Sequence, residues 1–198
     1  MKSTLLFIHL LGVIHCVGQS TDELMKNGNT QFSVGNYTAA LPYFEQASVQ
    51  QVAKANFMVG LCLYNLTNYK EANKYFDVEL SKDSTCAQAY YFKALIAAST
   101  LSVAVLIINK AIALQPTNNA YLLAKANLYY RHNNYTEALL NYTQLLALNN
   151  TIDDAHYKLG YCKLYINDTL GACQSWRKIS ELDDFENEAQ ITQWCATR

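Results

Sequence analysis

The chain has 198 residues, of which 51% are apolar and 16% are charged, and its formal net charge is -1. This apolar fraction is enough for a packed core, which excludes a disordered chain. The near-neutral charge argues against a nucleic-acid-binding protein, because neutralising phosphates needs clustered Lys and Arg. Two prolines and seven glycines are too few for the frequent turns of a β-sandwich or β-barrel. The composition therefore favours helices.

Residues 1–18 have the features of a secretory signal peptide. A positive charge near the start precedes an apolar run over residues 5–14, and small side chains follow at Cys16 and Gly18. The run is too short to span a bilayer as a helix. We expect cleavage after Gly18 and export to the periplasm or the cell exterior. The alternative is a bacterial lipoprotein with Cys16 as its lipid-modified first residue, although His15 is unfavourable directly before such a cysteine.

A period of 32 residues appears in the part of the chain that follows. It separates four pairs of like residues: Gly28 and Gly60, Tyr37 and Tyr69, Ala40 and Ala72, and Phe44 and Phe76. A fixed period of this length is the sequence signature of a repeat architecture. Related patterns continue along the chain and divide it into five units of about 21–52, 53–84, 86–118, 119–152 and 153–184.

Each unit predicts two helices joined by a short turn. Apolar residues recur at three-to-four spacing within each half of a unit, which is the helical period. Asn36, Asn68 and Asn134 each precede the aromatic residue that opens a second helix, where an Asn side chain can cap free backbone N–H groups. Every first helix also carries a small residue that lets the paired helices approach closely: Gly28, Gly60, Ala94, Ala126 and Gly160.

The small residue, the Asn-Tyr turn, and the Ala and aromatic of the second helix together resemble the tetratricopeptide repeat. The resemblance covers residues 21–184 and departs in the fifth unit, where Thr169 replaces the usual aromatic. It implies an all-α fold, a right-handed superhelical α-solenoid of about five helix hairpins, in a single domain over residues 19–198. A helix over residues 185–196 would cap the last unit, because each hairpin of a solenoid is buried only by its neighbours.

Five cysteines follow the expected cleavage site: Cys62, Cys86, Cys162, Cys173 and Cys195. An exported protein with several cysteines is expected to form at least one disulfide. Residues equidistant from a turn lie level on antiparallel helices, which allows either Cys162–Cys173 or Cys173–Cys195. The segment 171–178, with the helix that ends at Cys195, also resembles the C-terminal ends of exported tetratricopeptide proteins of Bacteroidota. That resemblance favours Cys173–Cys195.

The sequence contains no recognisable pattern of catalytic or metal-binding residues. His132 and His156 are the histidines beyond residue 18, and neither has metal-ligand spacing to Cys, Asp or Glu. Neither a phosphate-binding Gly-rich loop nor a Gly-x-Ser-x-Gly elbow is present. We therefore expect a protein that is not an enzyme, with no cofactor, no bound metal and no transmembrane span.

In the tetratricopeptide family, the first helix of each pair lines the concave surface, so the resemblance places the function there. The inward-facing positions outside the core form an aromatic groove with few charges. We expect partner contacts from Phe32, Phe57, Leu61, Tyr64, Tyr91, Asn127, Tyr130, Arg131, Tyr157 and Tyr161. Tyr and Phe suit protein recognition, because they offer a large contact area at a low entropy cost.

The expected function is a non-catalytic interaction module or scaffold of the periplasm or cell envelope, which binds an unidentified protein or peptide. A carbohydrate- or peptidoglycan-associated role is the alternative, because aromatic rings also stack on sugars. Family members that bind the acidic tails of chaperones use a carboxylate clamp of basic residues. The clamp is absent here, since the corresponding positions are Met25, Phe57, Tyr91, Leu123 and Tyr157.

Overall fold

A computed structural model describes residues 20–179 and Cys195 of the chain. This part contains ten α-helices and no β-strand, and the helices are numbered α1–α10 in chain order. They are α1 (Thr21–Ser33), α2 (Tyr37–Val49), α3 (Ala55–Asn65), α4 (Tyr69–Lys82), α5 (Ala87–Ile96), α6 (Leu101–Leu114), α7 (Asn119–Arg131), α8 (Tyr135–Leu148), α9 (Asp153–Tyr165) and α10 (Thr169–Trp176). The prediction of an all-α fold built from helix hairpins is confirmed for this part of the chain.

Two predicted segments lie outside the described residues. They are the signal peptide over residues 1–18 and, apart from Cys195, the capping helix over residues 185–196. The described helices fall into two compact units that divide between Ser84 and Thr85. Unit 1 holds α1–α4, and unit 2 holds α5–α10. Within residues 20–179, no helix is both long and apolar enough to cross a membrane.

The turn inside a hairpin is fixed by a side-chain cap at the start of the second helix. Asn36, Asn68 and Asn134 accept hydrogen bonds from the backbone N–H three residues ahead, at 3.2, 3.4 and 3.3 Å. Asp168 does the same for α10 at 2.9 Å. These bonds satisfy one of the N–H groups that a helix start leaves without a partner. The caps at the three Asn residues are therefore those that the sequence predicted.

The core of unit 1 rests on a small residue facing an aromatic one in each hairpin. Phe44 and Phe76 are fully buried. A Cβ atom added to Gly28 or to Gly60 would lie 2.6 Å from the ring of the facing phenylalanine. Real Cβ atoms do not approach so closely, and only glycine lets the two helices meet at this distance.

Unit 2 repeats this arrangement with different pairs. Trp176 is 1% exposed, and its indole occupies the space that a Cβ at Gly160 would need. In the hairpin of α5 and α6, the small residue is Ala94, and it shares a core cluster with Ile108, an aliphatic side chain in place of the usual aromatic. A small residue on the first helix therefore packs with a bulky one on the second in these hairpins, although the residue types change.

The cysteines of unit 2 include a disulfide. Cys173 and Cys195 are bonded, with their Cα atoms 5.6 Å apart, and both pack with Trp176 and Ile179 in one apolar cluster. Cys162 lies in another cluster and carries a thiol, so the alternative pairing of Cys162 with Cys173 is not the one found. Burial raises the pKa of the Cys162 thiol to about 12.

Candidate functional site

A pocket of about 390 Å³ lies in unit 2 against the first helices of three successive hairpins. Helix α5 contributes Tyr91 from its middle and Leu95 from its end, α7 contributes one long face, and α9 contributes Lys158. The residues that shape the pocket are Tyr91, Leu95, Leu123, Asn127, Tyr130, Arg131 and Lys158. The structure therefore brings together four of the residues expected to contact a partner: Tyr91, Asn127, Tyr130 and Arg131.

The floor of this pocket is apolar and rigidly packed. Ala124 and Leu128 are buried beneath it, 7% and 3% exposed. The ring of Tyr91 packs against that of Tyr121 at a centroid distance of 5.2 Å, and Tyr121 itself is buried. A floor held in this way is formed before a ligand arrives, which reduces the entropy cost of binding.

Asn127 is oriented by two donors. The hydroxyl of Tyr142 donates a hydrogen bond to its Oδ1 atom, and the Lys158 ammonium donates to the same atom across 3.0 Å. Because an ammonium group has no acceptor, the side-chain oxygen must face Lys158. No described residue accepts a hydrogen bond from the Nδ2 protons of Asn127, so they can donate to an acceptor on a ligand.

Two cations stand beside Asn127. Arg131 ends α7 and is exposed. Lys158 also pairs with Asp154 at 2.9 Å, so its charge is partly compensated. The polar groups of the pocket are thus mainly hydrogen-bond donors, and they suit carbonyl or carboxylate oxygens of a ligand.

The phenols beside the pocket are neutral at physiological pH. Burial raises the pKa of Tyr130 to about 12, with a further increase from the neighbouring Tyr165 and Cys162. Burial also raises the pKa of Tyr91. Both hydroxyls therefore keep their protons and can donate as well as accept hydrogen bonds.

Tyr157 and Tyr161 pack in an apolar cluster with Trp176 further along unit 2. The Tyr161 ring packs edge-on against Trp176 at 5.3 Å. The Tyr157 hydroxyl donates a hydrogen bond to the Tyr161 hydroxyl across 3.3 Å. The backbone oxygen of Tyr157 accepts a hydrogen bond from the Trp176 indole at 3.0 Å. Both tyrosines are half-buried, and these contacts give them a role in packing α9 against α10.

The expected contact residues of unit 1 are distributed differently. Phe32, Leu61 and Tyr64 are half-buried, and their expected part in partner binding stays a prediction. Phe57 is only 6% exposed and packs against Phe76 at a ring-centroid distance of 5.9 Å. The side chain of Phe57 therefore belongs to the core of the hairpin and offers almost no surface, and its expected part in partner binding stays a prediction.

Lys158 is the charged residue of this pocket that was not predicted from the sequence. It lies 31 positions after Asn127, three fewer than the 34 between the helix caps Asn134 and Asp168 of the same two hairpins, so it lies about one helical turn before the position equivalent to Asn127. That spacing was available in the sequence and could have identified the pair. Groups of His, Cys, Asp or Glu able to hold a metal ion are absent from residues 20–179.

Comparison with known proteins agrees with this architecture. The family model described as "Tetratricopeptide repeat" matches residues 25–85 and 123–164, more than half of the chain. The chain belongs to the tetratricopeptide repeat family. Proteins of curated function yield no match. Solved structures of other tetratricopeptide proteins show the same fold.

Three of these structures illustrate the similarity. MamA of Desulfovibrio magneticus RS-1, residues 41 to the end, is 18% identical with a TM-score of 0.75, covering 84% of this chain and 96% of its own. A tetratricopeptide repeat protein of Parabacteroides merdae is 16% identical with a TM-score of 0.74, covering 90% and 75%. The thermophilic protein TTC0263 of Thermus thermophilus is 16% identical with a TM-score of 0.63, covering 89% and 98%. At these identities the likeness concerns the fold alone.

Proposed function

We propose that this tetratricopeptide protein is a non-catalytic interaction module that binds a peptide segment of a partner protein in the pocket of unit 2. The observation that carries the proposal is the combination of an apolar floor with donors on one side. Leu95, Leu123 and Leu128 can take an apolar side chain. Asn127 and Arg131 can bond the carbonyl oxygens of the peptide backbone beside it.

The size of the pocket supports a short segment. A volume of about 390 Å³ is at the lower end of ligand pockets and accommodates one or two side chains. Recognition by such a pocket depends on a single anchor residue in the partner, surrounded by weaker contacts. Tyr91 and Tyr130 would provide those contacts, because their rings are large and already held by neighbours.

We further propose that the protein acts outside the cytoplasm, in the periplasm or at the cell envelope. The leader-like pattern of residues 1–18 supports this location. The disulfide between Cys173 and Cys195 supports it independently, because disulfides persist in oxidising compartments and are rare in the cytosol.

A carbohydrate-associated role is the second candidate, and one aromatic pair favours it. Tyr135 and Tyr165 stack at a centroid distance of 4.2 Å with an angle of 13° between the rings. Tyr165 is 55% exposed. A flat, exposed ring of this kind can stack on the apolar face of a sugar.

Peptide and glycan arrays probed side by side with the purified protein separate the two candidates. The proposal predicts binding to peptides with an apolar anchor, and Leu123→Ala or Arg131→Ala should weaken that binding by about tenfold. Lys125→Ala is the matched control, because Lys125 lies on the same helix and does not line the pocket. Glycan binding that is lost in Tyr165→Ala, with no peptide bound, would favour the second candidate.

A further inference from the structure

A second and larger pocket, of about 850 Å³, lies in unit 2 away from the proposed peptide site. It is formed by the later part of α8, by α9, and by residues at the end of α10 and just beyond. Its apolar part includes Leu146 and Leu159, while Lys163, Arg177 and Lys178 also line it. The two pockets have no lining residue in common.

The charged side chains among the described residues that line this pocket are Lys163, Arg177 and Lys178, and all three are basic. The chain as a whole has a net charge of -1, so these cations are not part of a generally basic chain. Like charges gathered in one cleft repel each other, and an anion would relieve that repulsion. The pocket is therefore electrostatically suited to a negatively charged ligand.

The ammonium group of Lys163 is held by neutral oxygens. It donates to the backbone oxygen of Gly171 at 3.2 Å and to the hydroxyl of Ser175 at 3.0 Å. Within residues 20–179, no carboxylate pairs with Lys163, Arg177 or Lys178. These bonds hold the Lys163 ammonium group in position, and no carboxylate of the described residues neutralises its charge.

His156 adds a buried polar group to the wall. It is 4% exposed, and its Nε2 atom lies 2.9 Å from the backbone oxygen of Asn150. Its Nδ1 atom has no hydrogen-bond partner among the described residues. Because the Asn150 oxygen can only accept, Nε2 is the donor and Nδ1 of the neutral ring is an acceptor, which could bond a ligand hydroxyl but not a carboxylate oxygen.

We infer that this pocket binds an amphiphilic organic anion, a carboxylate carried on an apolar chain. The carboxylate would lie against Lys163, Arg177 and Lys178, where charge-assisted hydrogen bonds are strongest. The apolar chain would cover Leu146 and Leu159 and remove their surface from water. This inference is independent of the proposed peptide site.

Isothermal titration calorimetry of the full-length protein with decanoate, below the concentration at which it forms micelles, tests the inference. Decanoate should bind, and decanol should bind about tenfold more weakly or not at all, because it keeps the chain and lacks the charge. Acetate should bind no better than decanol, because it keeps the charge and lacks the chain. Equal binding of decanol, or equal binding of acetate, would overturn the inference.

Substitutions of the basic residues that line the pocket test where the ligand binds. Lys163→Met, and separately the pair Arg177→Gln with Lys178→Gln, should each weaken decanoate binding by about tenfold. Lys26→Gln in unit 1 removes an equal charge from an exposed position and should leave binding unchanged. Arg131→Ala, a variant of the peptide pocket, should also have no effect. Melting curves of each variant verify folding, and wild-type decanoate binding by both basic-residue variants would reject the site.

Discussion

Lys158 on α9 donates a hydrogen bond across 3.0 Å to the side-chain oxygen of Asn127 on α7. The two residues belong to successive hairpins, so this bond joins the first helices of neighbouring repeats beside the pocket. It also fixes the orientation of the Asn127 amide, since Tyr142 donates to the same oxygen. The geometry of the proposed peptide site thus depends on contacts between repeats and not on one helix alone.

A double-mutant cycle on this pair should show coupling. The Lys158 side chain is 26% exposed, so solvent screening reduces its contribution, and we expect about 0.5–1 kcal/mol of coupling in the free energy of unfolding between Asn127→Ala and Lys158→Ala. Urea denaturation of the two single variants and the double variant measures it. Simple additivity of the two single effects would mean that the bond does not stabilise the hairpin pair.

Gly60→Ala should destabilise unit 1. Alanine favours a helix by about 1 kcal/mol over glycine, whereas overpacking a core costs about 1–3 kcal/mol. The added methyl would lie 2.6 Å from the ring of the fully buried Phe76, so we expect overpacking to prevail with a net loss of about 1–2 kcal/mol in urea denaturation. Adding Phe76→Leu to Gly60→Ala should recover part of the loss. A variant as stable as wild type would show that the helices can separate freely.

Ala138→Asp should destabilise unit 2 severely. Ala138 is fully buried within the core of α7 to α9, and a carboxylate there would be desolvated without a partner. A loss of about 3 kcal/mol or more in the free energy of unfolding is expected. Thr136→Asp is the control on the same helix, because residue 136 is exposed in the first turn, where an acidic side chain is tolerated. Equal melting temperatures of the two variants would contradict the assigned core.

The buried thiols make stability depend on pH in the alkaline range. Burial raises the pKa of Cys62 from 9.0 to about 12, with a smaller increase from the charge of Glu45, and burial raises that of Cys162 to about 12 as well. A raised pKa in the folded state stabilises the fold below the unfolded pKa, and this stabilisation is lost as pH rises from about 9 to about 12. Urea denaturation across that range should show falling stability, with a shallower fall in the variant Cys62→Ala with Cys162→Ala. The same slope in both proteins would exclude the thiols as its cause.

Removing the disulfide should destabilise the end of unit 2. The bond closes a loop between residues 22 apart, and its loss in Cys173→Ser with Cys195→Ser should cost about 3 kcal/mol by the loop-entropy relation. Thermal melting with and without reductant measures the effect, and reductant should change the wild type but not the double serine variant. Wild-type protein that melts identically in both conditions would show that the bond does not form.

The sequence predicted the hairpins well because their determinants are local. These determinants are the capping Asn at positions 36, 68 and 134 and the small residues that face bulky ones. Each acts within a single unit, so its recurrence every 32 to 34 residues makes it visible in the sequence. The pairing of Gly160 with Trp176 follows the same rule and holds although Thr169 replaces the usual aromatic.

The pocket was only partly predictable, because it depends on how neighbouring hairpins are rotated against each other. Phe57 occupies an inward-facing position by sequence spacing, but its ring turns into the core against Phe76. Tyr157 and Tyr161 were expected to contact a partner, yet the ring of Tyr161 packs against Trp176. A side chain as long as tyrosine can reach either of two surfaces, and only the neighbouring helix decides between them.

Site-specific photocrosslinking tests whether the pocket of unit 2 is where the partner peptide binds. A benzophenone amino acid replacing Leu123 would place the reactive group in the pocket, and one replacing Val34, which is 73% exposed in unit 1, serves as the control. With a labelled peptide selected on the array, we expect a crosslink from position 123 that excess unlabelled peptide suppresses, and none from position 34. A crosslink from position 34 with none from position 123 would contradict it.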